Sequence, residues 1–242
     1  MSRDNIYQYD QEMIVDFTFD ESVTNVFPDM IRRSVPGYET IITLIGLLAE
    51  HYSQPNTVIY DLGCSLGAAT LSMRRRIHQA GCRIVAVDNA EAMVTRCREN
   101  IVSDRSRIPV EVILSDIRDI KIDNASVVVL NFTLQFIAPE NRLSLLTRIH
   151  EGLCPGGILV LSDKIIFDDR IEQQTQEALH LAFKRANGYS DLEISRKRTA
   201  LENVLVPDTL DTHQKRLKEA GFARSYLWFQ CFNFASILAI KQ

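Results

Sequence analysis

The sequence is poor in cysteine and has no long apolar run, and both absences narrow what the protein can be. Its five cysteines are odd in number, scattered along the chain and without a Cys-x-x-Cys pair. This pattern argues against a disulfide framework or a zinc cluster, so we expect no metal and a reducing, cytoplasmic environment. No run of about 18 apolar residues occurs, so no membrane span is expected. Residues 1–20 are polar and acidic, unlike a signal peptide.

The chain also lacks a basic excess, internal repeats and a linker-like segment. It carries 27 lysines and arginines against 31 aspartates and glutamates, for a formal net charge of -4. Proteins that coat nucleic acid neutralise phosphates with a surplus of basic residues, so direct nucleic-acid binding is not expected. A length of 242 residues suits one large α/β domain, and we predict a single domain spanning residues 1–242.

From residue 57 onward, short β-branched and apolar runs alternate with helical patterns. Strands are predicted at residues 57–62, 83–87, 110–114, 126–131 and 157–161, with helices at 68–79, 91–100 and 139–152. Such alternation is typical of parallel strands joined by right-handed helical crossovers. The last third predicts helices at 169–187, 191–203 and 209–220, followed by two apolar runs at 225–229 and 232–240.

The two final runs are separated by only a few residues, which predicts a hairpin and therefore an antiparallel last strand. A mostly parallel sheet closed by one antiparallel hairpin is the architecture of the class I methyltransferases. The prediction is thus an α/β, Rossmann-like class I methyltransferase fold. It has a mostly parallel seven-stranded sheet, an antiparallel C-terminal hairpin and helices on both faces.

The most informative segment is residues 61–67, Asp-Leu-Gly-Cys-Ser-Leu-Gly, between the first predicted strand and helix. Ligands of open α/β sheets bind at the carboxyl ends of the strands. Gly63 and Gly67 are expected to let the backbone approach a ligand closely, and the next helix offers free N–H groups. A dinucleotide motif would read G-x-G-x-x-G. Here Ser65 takes the middle position, and the shorter spacing favours the amino-acid end of S-adenosylmethionine.

Two other interpretations of this loop stay open at this point. The pattern G-x-S-x-G also occurs at the nucleophile elbow of α/β-hydrolases, where Ser65 would be the nucleophile and His150, His180 or His213 its base. That elbow normally follows several strands and an oxyanion loop, and neither is evident before residue 61. Alternatively, the loop is a tight turn without any ligand.

Acidic or amide side chains follow the next three predicted strands. Asp88 lies 25 positions beyond Gly63, where an acidic residue can accept hydrogen bonds from ribose hydroxyls. The alternative is a capping box formed by Asp88 and Glu91. Asp116 ends the third strand and, in this fold, faces an adenine together with the residue that follows it. The alternative for Asp116 is an ordinary turn aspartate.

Asn131 ends the fourth strand, where a reactive sulfonium would lie. It is followed by Phe132, so the N-P-P-Y signature of DNA adenine methylation is absent. Ligand-type residues at four successive strand ends are far more specific than any one of them. Together they predict an S-adenosylmethionine-type cofactor.

Several long segments are similar to one known family. They are residues 26–38, 60–70, 130–136, 183–190, 201–204 and 227–234, together with Arg198. Over about residues 17–241 the chain resembles the bacterial carboxy-S-adenosyl-L-methionine synthase family. The resemblance implies conversion of S-adenosyl-L-methionine and prephenate to carboxy-S-adenosyl-L-methionine and phenylpyruvate. The product is the carboxymethyl donor for 5-oxyacetyl modification of the tRNA wobble uridine.

The resemblance also implies a set of ligand-binding residues. Tyr38, at the end of an N-terminal lid or helical extension (residues 1–50), would contact the adenosyl ligand. Gly63, Cys64 and Ser65 would hold its amino-acid portion, and Asp88 and Asn89 its ribose. Asp116 and Ile117 would hold the adenine, and Asn131 would lie near the sulfonium. Arg198 is implied as the catalytic residue that pairs with the added carboxylate. Departures from the family pattern are mild and fall at Cys154, Asp163 and Ala235.

Family members are homodimers, and the resemblance places a helical insertion, residues 165–205, near the neighbouring subunit. Without the resemblance, residues 196–198 (Arg-Lys-Arg) would be interpreted as a solvated helix face. Lys184 and Arg185 could help to bind the dianionic prephenate, but a solvated face is favoured for them too. The five histidines and Trp228 are expected to be structural or surface residues.

No general base is evident in the sequence. One hypothesis is that the hydroxyl group leaving prephenate removes the proton from the sulfonium methyl group. The main alternative function is an ordinary S-adenosylmethionine-dependent methyltransferase acting on a small molecule or RNA. A second alternative is a non-catalytic module that carries the carboxylated ligand or tRNA.

Overall fold

The computed structural model describes residues 3–4, 6, 19–201 and 204–242. The helices are α1 Glu21–Ser34, α2 Tyr38–Tyr52, α3 Ala68–Arg76, α4 Glu91–Ser103, α5 Pro139–Gly152, α6 Arg170–Ala186, α7 Asp191–Leu201 and α8 Leu210–Glu219. The strands are β1 Val58–Leu62, β2 Arg83–Asp88, β3 Val110–Leu114, β4 Ala125–Asn131, β5 Leu153–Ile166, β6 Asp208–Thr209, β7 Arg224–Cys231 and β8 Phe234–Ile240.

Seven strands form one continuous sheet in the order β3-β2-β1-β4-β5-β8-β7. The first five are parallel, whereas β8 runs antiparallel to both β5 and β7. The two-residue strand β6, which the sequence did not predict, pairs with the end of β5. The predicted mixed sheet with an antiparallel C-terminal hairpin is therefore confirmed.

The central strand β4 shows how the sequence builds a three-layer structure. Side chains alternate between the two faces of a strand, and all of Val127, Val128, Val129 and Leu130 are fully buried. Val127 and Val129 pack in the layer that contains α2 and α3, while Val128 and Leu130 pack in the layer that contains α5 and α8. A strand covered on both faces has no polar side, which explains its unbroken apolar run.

Some element boundaries differ from the prediction. Helix α3 ends at Arg76 rather than at residue 79, because Ile77 has an extended backbone and a buried side chain. Strand β5 is much longer than the predicted 157–161, since it continues to pair with β8 through Asp163 and Lys164. The sequence did not predict this extension, because the charged residues Asp163 and Lys164 follow the apolar run. The last two residues of the helix predicted at 191–203 lie outside the described residues.

Helices α1 and α2 precede the first strand; α1 lies at the carboxyl end of the sheet, whereas α2 packs on one face and only its first residue, Tyr38, lines the cavity there. Asp20 caps α1, its carboxylate accepting a hydrogen bond from the Val23 amide at 2.9 Å. Val26 and Met30 of α1 pack in one cluster with Met93 of α4, which fixes α1 beside the strand ends. Within the described part of the chain, no helix combines the length and apolarity needed to cross a membrane.

Candidate active site

One cavity of about 480 Å³ lies at the carboxyl ends of the central parallel strands. Its volume is within the range of small-molecule sites. All ten residues predicted to bind the adenosyl ligand line it: Tyr38, Gly63, Cys64, Ser65, Asp88, Asn89, Asp116, Ile117, Asn131 and Arg198. The structure thus brings together residues from α2, from the ends of four strands and from α7.

The glycine loop is held by the neighbouring strand. The amides of Gly63 and Cys64 both donate to the Val87 carbonyl oxygen, at 2.8 and 2.9 Å. Gly63 has a left-handed backbone, with φ of 84°. A Cβ there would lie 2.3 Å from Thr133 Oγ1, which is too close for any real contact. The structure thus gives a packing reason for this glycine that the sequence did not show, and the predicted close approach of a ligand stays a prediction.

Asp88 joins the glycine loop to the end of β2. Its Oδ2 accepts a hydrogen bond from the Ser65 amide at 2.8 Å, and its Oδ1 accepts one from the Ala90 amide at 3.0 Å. Helix α4 begins after Ala90, which has no side-chain cap, so the capping box was wrong. Burial raises the pKa of the Asp88 carboxyl above its usual value, although backbone hydrogen bonds oppose this effect.

Asp116 lines the cavity and also makes a turn contact. Its Oδ1 accepts a hydrogen bond from the Arg118 amide at 2.8 Å, and its Oδ2 lies 2.7 Å from Arg118 Nη2. The hydrogen bonds from the Arg118 side chain hold the pKa of Asp116 below its ordinary value. The carboxylate therefore stays ionised. Both oxygens of Asp116 already accept hydrogen bonds from Arg118. The next residue, Ile117, is buried.

Three buried oxygens of the cavity wall have no hydrogen-bond partner among the described residues: Asp61 Oδ1, Asn131 Oδ1 and Asn233 Oδ1. Asp61 Oδ2 accepts a hydrogen bond from Thr70 Oγ1 at 2.5 Å, and burial raises the pKa of Asp61 to about 6. A buried acceptor left unsatisfied costs about 1–3 kcal/mol. Acceptors that line a cavity fit a ligand with donor or cationic groups, such as the ammonium and sulfonium of S-adenosylmethionine.

Asp61 had no role in the sequence-based prediction, although a signal was present. It is the only charged residue in the buried run of β1. A carboxylate in such a strand has to meet a hydroxyl, a ligand or another compensating group. The Asp61 side chain meets a hydroxyl on one oxygen and the cavity on the other.

The opposite side of the cavity is cationic. Lys164 of β5, Lys184 of α6, and Lys197 and Arg198 of α7 all line it. Lys197 is buried, lies 3.5 Å from Asp4 Oδ2 and donates to Ser34 Oγ at 3.0 Å. The solvated-face interpretation of residues 196–198 was therefore wrong for Lys197, and Arg198 lines the cavity although much of its side chain is exposed.

The prediction of a solvated face was right for one member of the 184–185 pair and wrong for the other. Arg185 is exposed and pairs with Asp191 at 2.7 Å. Lys184 is partly buried in the cavity wall, and burial together with Lys197 lowers its pKa to about 7. Neighbours in sequence on a helix point about 100° apart, so one can face the cavity while the other faces solvent.

The hydrolase interpretation fails on geometry. Ser65 Oγ donates to Met93 Sδ at 3.5 Å. His180 Nε2 donates to the Ser34 carbonyl oxygen at 2.8 Å, and His213 lies 3.9 Å from Asp163. His150 packs against a phenylalanine ring. None of the three histidines hydrogen-bonds Ser65 among the described residues, so no nucleophile–base pair is formed there.

The N-terminal segment contributes part of the wall. Phe27 and Met30 of α1 and Tyr38 of α2 line the cavity. The Tyr38 ring lies 6.3 Å from the ring of Phe132, and burial raises the Tyr38 pKa, which keeps its phenol neutral. Of the predicted extension 1–50, residues 1–2, 5 and 7–18 lie outside the described residues.

Comparisons with known proteins identify the family. Residues 59–157 match the model of a methyltransferase domain family. A carboxy-S-adenosyl-L-methionine synthase from Photobacterium profundum is 62% identical over 239 residues, which cover 99% of this chain and 98% of that protein. A protein of the same name from Aliivibrio fischeri is 60% identical over 98% of each chain.

The chain belongs to the carboxy-S-adenosyl-L-methionine synthase family. The predicted family and its assignment as an enzyme are therefore confirmed. Solved structures also confirm the fold. An O-methyltransferase family protein from Burkholderia thailandensis matches with a TM-score of 0.65 and 17% identity, covering 93% of this chain and 61% of that one. Human N-acetylserotonin methyltransferase in complex with SAM matches with a TM-score of 0.62 and 18% sequence identity. The match covers 91% of this chain and 55% of that one.

A search of the described residues for a possible metal centre finds no group of three or more histidine, cysteine, aspartate or glutamate side chains. One side of the cavity carries Asp61, Asp88 and Asp116, and the other carries lysines and an arginine. Such a cavity suits a ligand pair whose charges are also separated.

The packing of Gly63 against Thr133 gives a prediction. Gly63→Ala should destabilise the protein by about 2–4 kcal/mol, because it adds a steric overlap to the strain of a left-handed backbone. Gly156→Ala is a matched control, since Gly156 also has a left-handed backbone but a Cβ there would meet only Gln54 Nε2, at an ordinary contact distance of 3.6 Å; it should cost about 1–2 kcal/mol. Urea unfolding measures both. Equal losses for the two variants, or no recovery in Gly63→Ala with Thr133→Ala, would contradict the steric explanation.

Proposed function

We propose that the protein converts S-adenosyl-L-methionine and prephenate to carboxy-S-adenosyl-L-methionine and phenylpyruvate. The atoms balance if the methyl group loses one proton and gains the carbon dioxide released by prephenate, while the departing hydroxide takes that proton to form water. The product would serve as carboxymethyl donor for modification of the tRNA wobble uridine. The observation that carries the proposal is the single cavity in which acidic strand ends face lysines and an arginine.

The strand ends would hold the adenosyl ligand. Gly63, Cys64 and Ser65 would bind its amino-acid portion, since they border the unpaired Asp61 oxygen that suits an ammonium group. Asp88 and Asn89 would bind the ribose, and the Asp88 oxygens are already oriented by two backbone amides. These fixed acceptors would need little reorganisation when the ligand binds.

The remaining contacts would orient the base and the reacting centre. Asp116 and Ile117 would bind the adenine, and Tyr38 would cover the adenosyl group from the N-terminal side. The unpaired oxygen of Asn131 would lie next to the sulfonium. Phe132 and Phe136 also line this part of the cavity, and their apolar rings would keep water away from the reacting carbon.

Arg198 would recognise the carboxylate that the reaction adds. Its exposed side chain lines the cavity, where it would reach a bound ligand. A guanidinium presents two parallel donors to a carboxylate, a geometry that a methyl group cannot satisfy. This residue would distinguish the carboxymethyl product from the methyl substrate.

Turnover tests the proposed reaction directly. The purified protein, incubated with S-adenosyl-L-methionine and prephenate, is expected to release phenylpyruvate and a carboxylated adenosyl product, both measured by mass spectrometry. Ligand extracted from freshly purified protein is expected to be the same carboxylated compound. Formation of S-adenosylhomocysteine without prephenate consumption would favour the ordinary methyltransferase instead.

Substitution of Arg198 tests its role in selectivity. Arg198→Leu should reduce the preference for carboxy-S-adenosyl-L-methionine over S-adenosyl-L-methionine at least about tenfold, because a charge-assisted pair is lost. The two dissociation constants are measured by calorimetry. Arg185→Leu is the control, since Arg185 pairs with Asp191 on the surface. An unchanged ratio in Arg198→Leu would exclude the assigned role.

We also propose that the single domain, residues 1–242, acts as a cytoplasmic homodimer with the helical insertion 165–205 at the interface. Large apolar side chains are exposed along this insertion, with Ile171 72% and Leu192 53% exposed. Exposed apolar groups on neighbouring helices are typical of a surface that another chain covers.

The acidic net charge gives no support to a nucleic-acid partner.

The interface can be tested by charge insertion. The double variant Ile171→Glu with Leu192→Glu should sediment as a monomer at concentrations where the wild type is a dimer, because burying two carboxylates is unfavourable. Val102→Glu is the control, since Val102 is 86% exposed but lies on α4, outside the insertion. A wild-type monomer, or a double variant that stays dimeric, would refute this interface.

A further inference from the structure

Two lysines in the cavity wall form no ion pair with any described residue, although Glu177 lies near Lys164. Lys164 and Lys184 line the cavity, and among the described residues neither forms a salt bridge or a side-chain hydrogen bond through its ammonium group. Lys197, by contrast, is paired with Asp4. Partly buried ammonium groups without a partner are unfavourable. Their arrangement therefore calls for an anion that arrives with the substrate.

The strand register places Lys164 relative to the reacting centre. Asn131 at the end of β4 pairs with Ser162 of β5, and Lys164 follows two residues later. Paired residues and residues two apart on a strand face the same side of the sheet, so Asn131 and Lys164 project toward the same cavity. The two positions are separated by roughly 7 Å along the strand direction.

Helix α6 brings the second cation to the same place. Lys164 is close enough to Lys184 to lower the pKa of the Lys184 ammonium group, and Arg198 lowers the pKa of both lysines. Glu177 of α6 is the acidic residue that faces this cluster. Three cations against one carboxylate leave an excess positive charge of about two, if all three are protonated.

The proposed reaction supplies a matching charge, and this inference rests on that proposed function. Prephenate carries two carboxylates, of which one is transferred to the adenosyl ligand and the other is retained in phenylpyruvate. The transferred carboxylate has to lie at the carbon beside Asn131 and Arg198. The retained carboxylate needs a cationic partner as well, and Lys164 of β5 and Lys184 of α6 line the same cavity without an ion pair among the described residues.

We propose that Lys164 and Lys184 form a subsite for the carboxylate that prephenate retains. This subsite fixes which of the two carboxylates points toward the adenosyl ligand. In this arrangement Arg198 of α7 binds the transferred carboxylate, and the two neighbouring lysines of β5 and α6 bind the retained one.

The environment of Lys184 supports a coupling between substrate binding and proton uptake. Lys164 of β5, Lys197 and Arg198 of α7, and Glu177 and His180 of α6 face it. Burial and the neighbouring cations lower the pKa of Lys184 to about 7. The ammonium form is present below this pH and is lost above it. A bound carboxylate would favour the charged form and raise the pKa.

Steady-state kinetics with prephenate tests the subsite. Lys164→Met and Lys184→Met should each raise the KM for prephenate at least about tenfold, because each removes one charge-assisted contact to a carboxylate. The affinity for S-adenosyl-L-methionine, measured by calorimetry, should change less than about twofold, since other residues hold that ligand. Lys121→Met is the control, because Lys121 is exposed and pairs, within the described part of the chain, with exposed Asp123.

The pH dependence adds a measurement that a merely structural role would not affect. In the wild type the KM for prephenate should rise as the pH increases from about 6 to about 9, as Lys184 loses its charge. Lys184→Arg should restore most of the affinity and flatten this rise, because arginine stays protonated throughout.

The possible results separate the two proposals. If the wild type does not consume prephenate, the proposed function fails. If the wild type turns prephenate over but both methionine variants keep the wild-type KM, only the subsite is wrong. A matching loss of S-adenosyl-L-methionine affinity in both variants would also overturn it, by showing a general distortion of the cavity.

Discussion

The hydrogen bonds from two backbone amides to the Asp88 carboxylate are the interaction on which the site depends. One amide belongs to Ser65 in the glycine loop and the other to Ala90 before α4. The carboxylate therefore connects the loop after β1 to the turn after β2. If it were lost, two amides would be left without acceptors at the edge of the cavity, and the loop that precedes α3 would lose its orientation.

The interaction has an energetic cost that the surrounding structure offsets. Burial raises the pKa of Asp88, and it raises the pKa of Asp61 to about 6. Two carboxylates held close together in a buried wall repel each other. Hydrogen bonds from backbone amides and from Thr70 compensate in part. A ligand that brings an ammonium or a sulfonium would complete the compensation, so the acidic side of the cavity is built for a cationic partner.

Much of this could be predicted from the sequence, for identifiable reasons. Parallel strands show as unbroken apolar runs, and their carboxyl ends meet at one edge, so Asp88, Asp116 and Asn131 could be placed together before any coordinates. The packing of Gly63 against Thr133 could not be predicted, because Thr133 is 70 positions away in sequence. Lys164 was hidden because β5 extends past its apolar run by pairing with β8. Only tertiary packing reveals such contacts.

In the helical insertion, too, the local sequence did not predict which side chains are buried. Helix α7 carries Arg196, Lys197 and Arg198 in succession, a pattern that usually means solvent exposure. In the structure Lys197 is buried against Asp4, a residue 193 positions earlier, and its pKa is lowered to about 8 by burial. Because it pairs with the distant Asp4, Lys197 is part of the cavity wall although its local sequence is typical of a solvent-exposed residue. Family similarity, rather than local pattern, identified Arg198 beside it.

The cationic side of the cavity would affect the chemistry as well as the binding. Removing a proton from a group beside a sulfonium lowers the local positive charge by one. Nearby cations favour any step that reduces positive charge, so Arg198, Lys164 and Lys184 would make the adjacent methyl group easier to deprotonate. The same cations would attract a dianion whose breakdown releases a hydroxide at that place. Binding of the second substrate and acidification of the first would thus have one electrostatic cause, which an uncharged cavity of the same shape could not provide.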